Sequence, residues 1–323
     1  MKRAYRLIAC ALILALMLPQ AAFAQGAEGF GQNVRIKLSI GDRTSFKFTP
    51  VGEFTLLEDS GVKVGTEELT VKAVGGRVSI EFANKTVTAP SLTLKSAHYG
   101  ERTDYIRLRN SEHGTCTYLG DITFDVVEGS LRAINTLPME QYLYGVVPNE
   151  MSNSFPIDAL KAQAVAARTR AIWQTENGGC ALHAGADICT DSAHCQGYAT
   201  PDQCRELWGG EYTAYRDRVL QAVAATRDEL VTYGGQPITV MYHAISGGRT
   251  EAAQTVFSQA LPYLVSVESD GEEGVPGYRQ DTFFTFDEMA ALLGDAFDLD
   301  LTAQEVERTL AVAGYTDTGR VAA

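Results

Sequence analysis

The chain has 323 residues, a formal net charge of −13 and 45% hydrophobic residues. So acidic a balance excludes a nucleic-acid backbone as the natural partner, which calls for clustered cations, and the apolar content excludes a disordered chain. The length allows one large domain or two modest ones, each with its own core.

Lys2, Arg3 and Arg6 precede an apolar run from Leu7 to Leu18, and Ala22-Phe23-Ala24 offers small residues for cleavage, so residues 1–24 read as an export signal. The run falls short of the ~20 residues that span a bilayer, which argues against a retained anchor. It also continues beyond Cys10 where a lipoprotein box would end it. The mature chain is expected outside the cytoplasm, in the cell wall or at the outer membrane face. Cys10 leaves with the leader, and five of the six cysteines remain.

Between residues 34 and 135, segments such as VRIKLSI, SFKFTP, EFTLLE, LTVKAV, VSIEFA, YIRLRN and ITFDVVEG alternate or run apolar between Gly, Asp and Asn turns. This predicts a β-rich N-terminal region over 25–115. A mixed helical and strand domain follows over 116–323, so the fold class is α+β.

From Ile157 the chain is rich in strong helix formers until Asn177-Gly178-Gly179 stops it. Ser154 and Pro156 are expected as its start signals. Ile157, Leu160, Ala164, Ala167 and Ala171 form a narrow small-residue stripe for close packing. Lys161 and Arg168, seven residues and roughly 10 Å apart, share a face that can line a groove. Just upstream, Pro148 is expected to break the chain before Glu150. That acid sits among Val146, Val147, Met151 and Phe155, a setting suited to a proton donor.

Cys180, His183, Cys189, His194, Cys195 and Cys204 crowd into 25 positions. An odd number of cysteines in an exported chain cannot all pair internally, and thiolates with imidazoles at short spacing are what a tetrahedral zinc site requires. On the residues alone, metal and disulfide both remain open. Cys180 and Cys204 can bridge each other or serve as ligands, and Cys116 reads as a buried small hydrophobe.

Residues 212–230 show helical periodicity with Val219, Leu220 and Val223 inward, Gly234-Gly235 marks a hairpin, and a helix is expected after Thr285. Ser246 and His243 admit a serine-hydrolase reading, but the G-x-S-x-G elbow is absent.

LPMEQYLYGVVPNEM followed by FPIDALKAQAVAARTRA resembles the signature of the stage II sporulation protein D and LytB (SpoIID) family, whose established members are lytic transglycosylases of bacterial cell wall. The resemblance implies Glu150 as catalytic acid and a glycan-binding groove contacted by Lys161, Gln163 and Arg168. MYHAISGGRTEAAQTVFSQALPYLVSVES resembles the second signature, which implies Tyr242, His243, Ser246, Gly247, Gly248 and Glu251 on a strand-turn lining that groove. HAGADICTDSAHCQGY resembles a loop that binds zinc in some members, implying His183, Cys189, His194 and Cys195 as ligands of a structural Zn2+. The expected activity is cleavage of the MurNAc–GlcNAc β-1,4 bond of peptidoglycan to 1,6-anhydro ends, in a sporulation setting such as engulfment. A second acid, were one needed, would come from Glu251 or Asp191. The alternative is a non-catalytic wall-binding enhancer of an amidase, with that amidase as partner. VERTLAVAGYTDTGRVAA resembles the beginning of the family's last strands, so the C-terminal end reads as incomplete.

Overall fold

The computed structural model describes residues 33–82, 85–110, 114–257 and 259–322. The chain divides into two compact units, one ending at Met241 and one beginning at Tyr242. The expected export signal at 1–24 lies outside the described residues, among which no helix is long and apolar enough to cross a membrane.

The first unit opens with twelve strands among the described residues: β1 Asn33–Lys37, β2 Ser45–Val51, β3 Phe54–Leu56, β4 Asp59–Val64, β5 Leu69–Val74, β6 Arg77–Phe82, β7 Lys85–Ala89, β8 Ser91–Ser96, β9 Tyr105–Asn110, β10 Gly114–Leu119, β11 Asp121–Val127 and β12 Ser130–Pro138. In β2, Phe46 and Phe48 point inward while Ser45 and Lys47 point outward, the period-two pattern that makes a strand with one buried face. One sheet runs β10-β9-β2-β5-β6-β7. The other runs β1-β12-β11-β8-β3-β4, with a two-residue strand, β13 Ile188–Cys189, added in parallel to β1. The sheets pack face to face, since Phe46 and Phe48 meet Phe124 of β11 with ring centroids 5.5 and 5.2 Å apart. Strand-rich structure therefore continues past residue 115 to Pro138.

Four helices follow in this unit: α1 Met139–Glu150, α2 Ile157–Glu176, α3 Pro201–Trp208 and α4 Tyr212–Ala225. Leu143, Val146 and Val147 of α1 and Leu160, Ala164, Ala167 and Ala171 of α2 are fully buried in the same core as the sandwich, as the small-residue stripe predicts. Two expectations about helix ends are corrected. Pro148 does not end the segment: α1 continues through it to Glu150, because a proline near a C-terminus removes only one intrahelical hydrogen bond. Ser154 does not cap α2. Pro156 occupies the N-cap without a side-chain cap, and the Ser154 amide donates to Ser152 Oγ. The hairpin on Gly234-Gly235 forms as expected between β14 Thr232–Tyr233 and β15 Gln236–Pro237, with φ of 58° and 78° at the two glycines.

The second unit carries α5 Ala253–Phe257, α6 Phe286–Phe297 and α7 Ala303–Thr309. Thr285 and Thr302 start the latter two with capping boxes to Glu288 and Glu305. The stretch expected to begin the last strands instead finishes α7 and closes on a bridge between Tyr315 and Val321. Sheets and helices are segregated along the chain, which makes the fold α+β.

Candidate active site and metal centre

Glu150 is the last residue of α1, half-buried, and its Oε1 accepts the Gly197 N–H at 2.9 Å. The segment that supplies this donor is held along α1 by several contacts. Ala199 N–H donates to Gly145 O at 3.0 Å, Tyr198 stacks on Tyr142 with centroids 5.8 Å apart, and Gln196 Nε2 donates to Tyr142 Oη and Ala167 O, both at 3.3 Å. A Cβ on Gly145 would stand 2.5 Å from the Tyr198 ring and 2.7 Å from Ala199 O. Only glycine lets the segment approach this closely. The glycine of the GVV motif thus acts on packing, and through packing on the hydrogen bond that orients Glu150.

Cys195 stands two residues before Gly197 and belongs to a cluster with Cys180, Cys189 and His194, whose ligand atoms all lie within 4.8 Å of one another. His194 Nδ1 is 3.6 Å from Cys180 Sγ, 3.7 Å from Cys189 Sγ and 3.3 Å from Cys195 Sγ. All five described cysteines are free thiols, so the Cys180–Cys204 disulfide is not formed. His183 is corrected out of the ligand set. Its ring lies outside this group of donor atoms, in which Cys180 stands instead, and its backbone N–H closes a turn onto Cys180 O at 3.0 Å. Cys116 is buried as expected.

The donor set fits a metal ion. Burial pushes the Cys189 thiol up to about 12, and the adjacent sulfurs of Cys195 and Cys180 add to the shift; burial raises Cys180 likewise. Crowded thiols resist ionisation unless a cation sits among them. The frame is rigid. Asp187 accepts from the Arg35 backbone N–H at 2.8 Å and pairs with its guanidinium at 2.6 Å. Thr190 N–H donates to Lys37 O at 3.2 Å on the other side of β13.

The remaining expected residues fall in different settings. Lys161 Nζ pairs with Asp158 at 2.9 Å on the outer side of α2. Gln163 is buried and its Nε2 has no hydrogen-bond partner among the described residues. Arg168, expected to share an open face with Lys161, is fully buried: its Nε and one Nη reach the two carboxylate oxygens of Glu140, each at 2.8 Å. Helical spacing told which residues share a face but not that this face turns inward at Arg168, against α1 and α4.

Tyr242, His243, Ser246, Gly247, Gly248 and Glu251 belong to the second unit, where they form a loop with one bridge, Arg249 to Glu268, in place of the expected strand-turn. Ser246 Oγ donates to Glu272, at 3.0 and 2.9 Å from its two oxygens, so it is not poised as a nucleophile on His243. Glu251 accepts from Thr316 Oγ1 at 2.7 Å and pairs with Arg320 at 3.0 Å. Asp191 caps its own turn through the Ala193 N–H. Both candidate second acids are thus held by local structure.

Glu272 fixes the Ser-Gly-Gly turn. The Gly248 N–H, with Ser269 and Ser246 as further donors, holds its carboxyl down to about 2 against an ordinary 4.5. A carboxyl depressed on folding contributes stability that is present above the ordinary value and lost as pH falls toward the folded one. Melting temperatures taken between pH 5 and pH 2 should therefore fall less steeply in Glu272→Gln than in the parent. Parallel acid limbs would reject this role for Glu272.

Gly197, Cys180, Glu140 and Glu272 are the working residues that sequence reading misses or leaves undecided. Cys180 is signalled by the cysteine crowding, whereas the Gly197 contact spans 47 residues and has no local mark.

Residues 127–233 match the family model described as "SpoIID: Stage II sporulation protein". The chain is 31% identical to Stage II sporulation protein D of Bacillus subtilis over 177 residues, 55% of this chain and 52% of that protein. It is also 31% identical to the Bacillus amyloliquefaciens protein of the same name over 173 residues, 54% of this chain and 50% of the relative. The Bacillus subtilis protein named "Amidase enhancer" is 34% identical over 125 residues, 38% of this chain and 14% of that protein. The chain thus spans about half the length of the sporulation proteins it matches. Helices α1 to α4, Glu150, the cysteine cluster and β14 all lie within the matched segment.

Proposed function

From SpoIID-family membership, which these similarities support, we propose that the protein acts on peptidoglycan as an exported lytic transglycosylase with Glu150 as its acid-base. The observation that carries the reading is the placement of Glu150 at the end of α1, oriented by the Gly197 N–H, inside the matched segment. Ordinary glycosidases use two carboxylates, whereas Glu251 and Asp191, the candidates for a second acid, are engaged locally. One acid suffices when the muramic sugar's own C6 hydroxyl replaces water. Glu150 gives its proton to the glycosidic oxygen as the C1–O bond breaks. The resulting carboxylate takes the C6 hydroxyl proton as O6 bonds to C1, so the acid is regenerated and no water is consumed. Lys161 and Gln163 are proposed as glycan contacts, Gln163 because its buried amide N–H2 lacks a partner among the described residues.

The second reading is an amidase enhancer, favoured by the relative of that name. Mass spectrometry of purified glycan strands digested without any amidase separates the two. Fragments ending in 1,6-anhydro sugar support the transglycosylase; reducing ends throughout would point to hydrolysis, and no fragments at all to the enhancer.

A structural zinc ion held by Cys180, Cys189, His194 and Cys195 is part of the proposal. Four protein ligands close the coordination shell and leave no position for a reactive water. The ion would tie the 189–195 loop, and with it the Gly197 donor. Elemental analysis should find about one zinc per chain in the parent and in His183→Ala, and far less in Cys180→Ser, whose melting temperature should also drop. Loss of metal in His183→Ala with retention in Cys180→Ser would restore the ligand set expected from the sequence.

A further inference from the structure

Gly197 is the point at which two side chains of α1 meet. Glu150 Oε1 accepts its N–H at 2.9 Å. The amide of Asn149, the residue before Glu150, lies against its Cα: a Cβ on Gly197 would stand 1.8 Å from Nδ2 and 2.9 Å from Cγ of Asn149. Gly197 does not have a positive φ, so backbone conformation does not call for a glycine there. Space does, because the Asn149 amide fills the place that a side chain would take. Consecutive helix residues ordinarily point about 100° apart. At the last two positions of α1 they converge on one residue of the neighbouring segment, whose N and Cα are about 1.5 Å apart. The contact that orients the acid thus sets an amide beside it.

Asn149 is exposed, and its amide makes no hydrogen bond to any described residue. A primary amide presents N–H donors and an acceptor oxygen in one plane, which complements the C=O and N–H of a secondary amide. We propose that Asn149 is a specificity-determining contact that reads the 2-acetamido group of the sugar whose glycosidic oxygen Glu150 protonates. The proposal rests on the peptidoglycan reading above, and the chemistry of that reading places the group. C2, which bears the acetamido, is bonded to C1, the carbon whose bond to oxygen breaks. A side chain held beside the acid therefore meets the acetamido group when the acid meets the bond. A sugar with a free amine at C2 has no carbonyl to accept from Asn149 Nδ2 and no planar partner for its amide.

The test is a thermodynamic cycle of binding in the Glu150→Gln background, where the strands stay whole. Short peptide-free glycan strands, and the same strands chemically de-N-acetylated, are titrated by calorimetry into whole-chain Glu150→Gln and into Glu150→Gln combined with Asn149→Ala. De-acetylation also makes the strands more cationic, but that change acts on both proteins and cancels in the cycle. Asn149→Ala should weaken binding of the acetylated strands by about two- to tenfold, the worth of an ordinary hydrogen bond, and leave binding of the de-acetylated strands unchanged. Equal weakening on both strands, or none on either, would overturn the proposal. In proteins that keep Glu150, Asn149→Ala should raise KM on acetylated strands and leave the pH profile of lysis in place. A shifted profile would show the amide acting through Glu150 and would overturn it as a sugar contact. Failure of the lytic reading shows separately, as strands left intact by the parent, and leaves the binding cycle readable. Strands that neither bind nor are cut would overturn the peptidoglycan reading and the proposal with it.

Discussion

Glu150→Gln should fold as the parent does and lose lytic activity by about 10²- to 10⁴-fold, the range that general acid-base catalysis contributes, or more because one group serves both steps. Glutamine keeps the shape of the side chain and can still accept the Gly197 N–H through its amide oxygen. It can neither give a proton to the glycosidic oxygen nor take one from the C6 hydroxyl. The measurement is the release of 1,6-anhydro fragments from purified strands, with thermal melting of both proteins as the control for folding. A variant that melts with the parent and lyses at the parental rate would remove Glu150 from the chemistry. A variant that melts well below the parent would show that the acid serves α1 and its neighbour segment first.

Which parts of this are legible in the sequence follows from the range of the interactions. The alternation of Phe46 and Phe48 with polar neighbours, the long apolar stripe from Leu160 to Ala171, and the Gly234-Gly235 turn are local patterns, and each forms as read. Strand β4, Asp59–Val64, escapes such a reading because its glycine reads as a turn, and so does the parallel pairing of β13 with β1, because residues about 150 positions apart leave no shared local mark. The site divides in the same way. Glu150 and the cysteine-rich loop stand out by type and spacing, whereas the Gly197 donor and the exclusion of His183 depend on how that loop closes. Arg168 shows the limit most clearly: helical periodicity assigns it a face, and only tertiary packing decides whether that face meets water or Glu140.

Arg168 is expected to govern stability more than any other charged residue of the first unit. Its side chain is 1% exposed and that of Glu140 13%. Both carboxylate oxygens are engaged at 2.8 Å, and the guanidinium also donates to Val223 O and Glu229 O at 3.3 Å. It therefore joins the first turn of α1 to α2, to α4 and to the chain leading into β14. Glu140 adds a favourable charge near the N-terminal end of α1. Removing one partner of a buried pair costs about 3–5 kcal/mol, because the other charge stays desolvated and alone. Arg168→Met should thus lower the melting temperature by about 6–20 °C, at about 2–4 °C per kcal/mol for a domain of this size. In Glu140→Leu combined with Arg168→Met no charge is left unpaired, so the double variant should be more stable than the sum of the single changes allows. Urea denaturation of the parent, both single variants and the double closes this cycle. If Arg168→Met keeps the parental midpoint and loses only activity, the side chain works on the glycan and the groove assignment stands; a large loss of stability, relieved in the double variant, makes it the positioning residue of α1 and so of Glu150 at its far end.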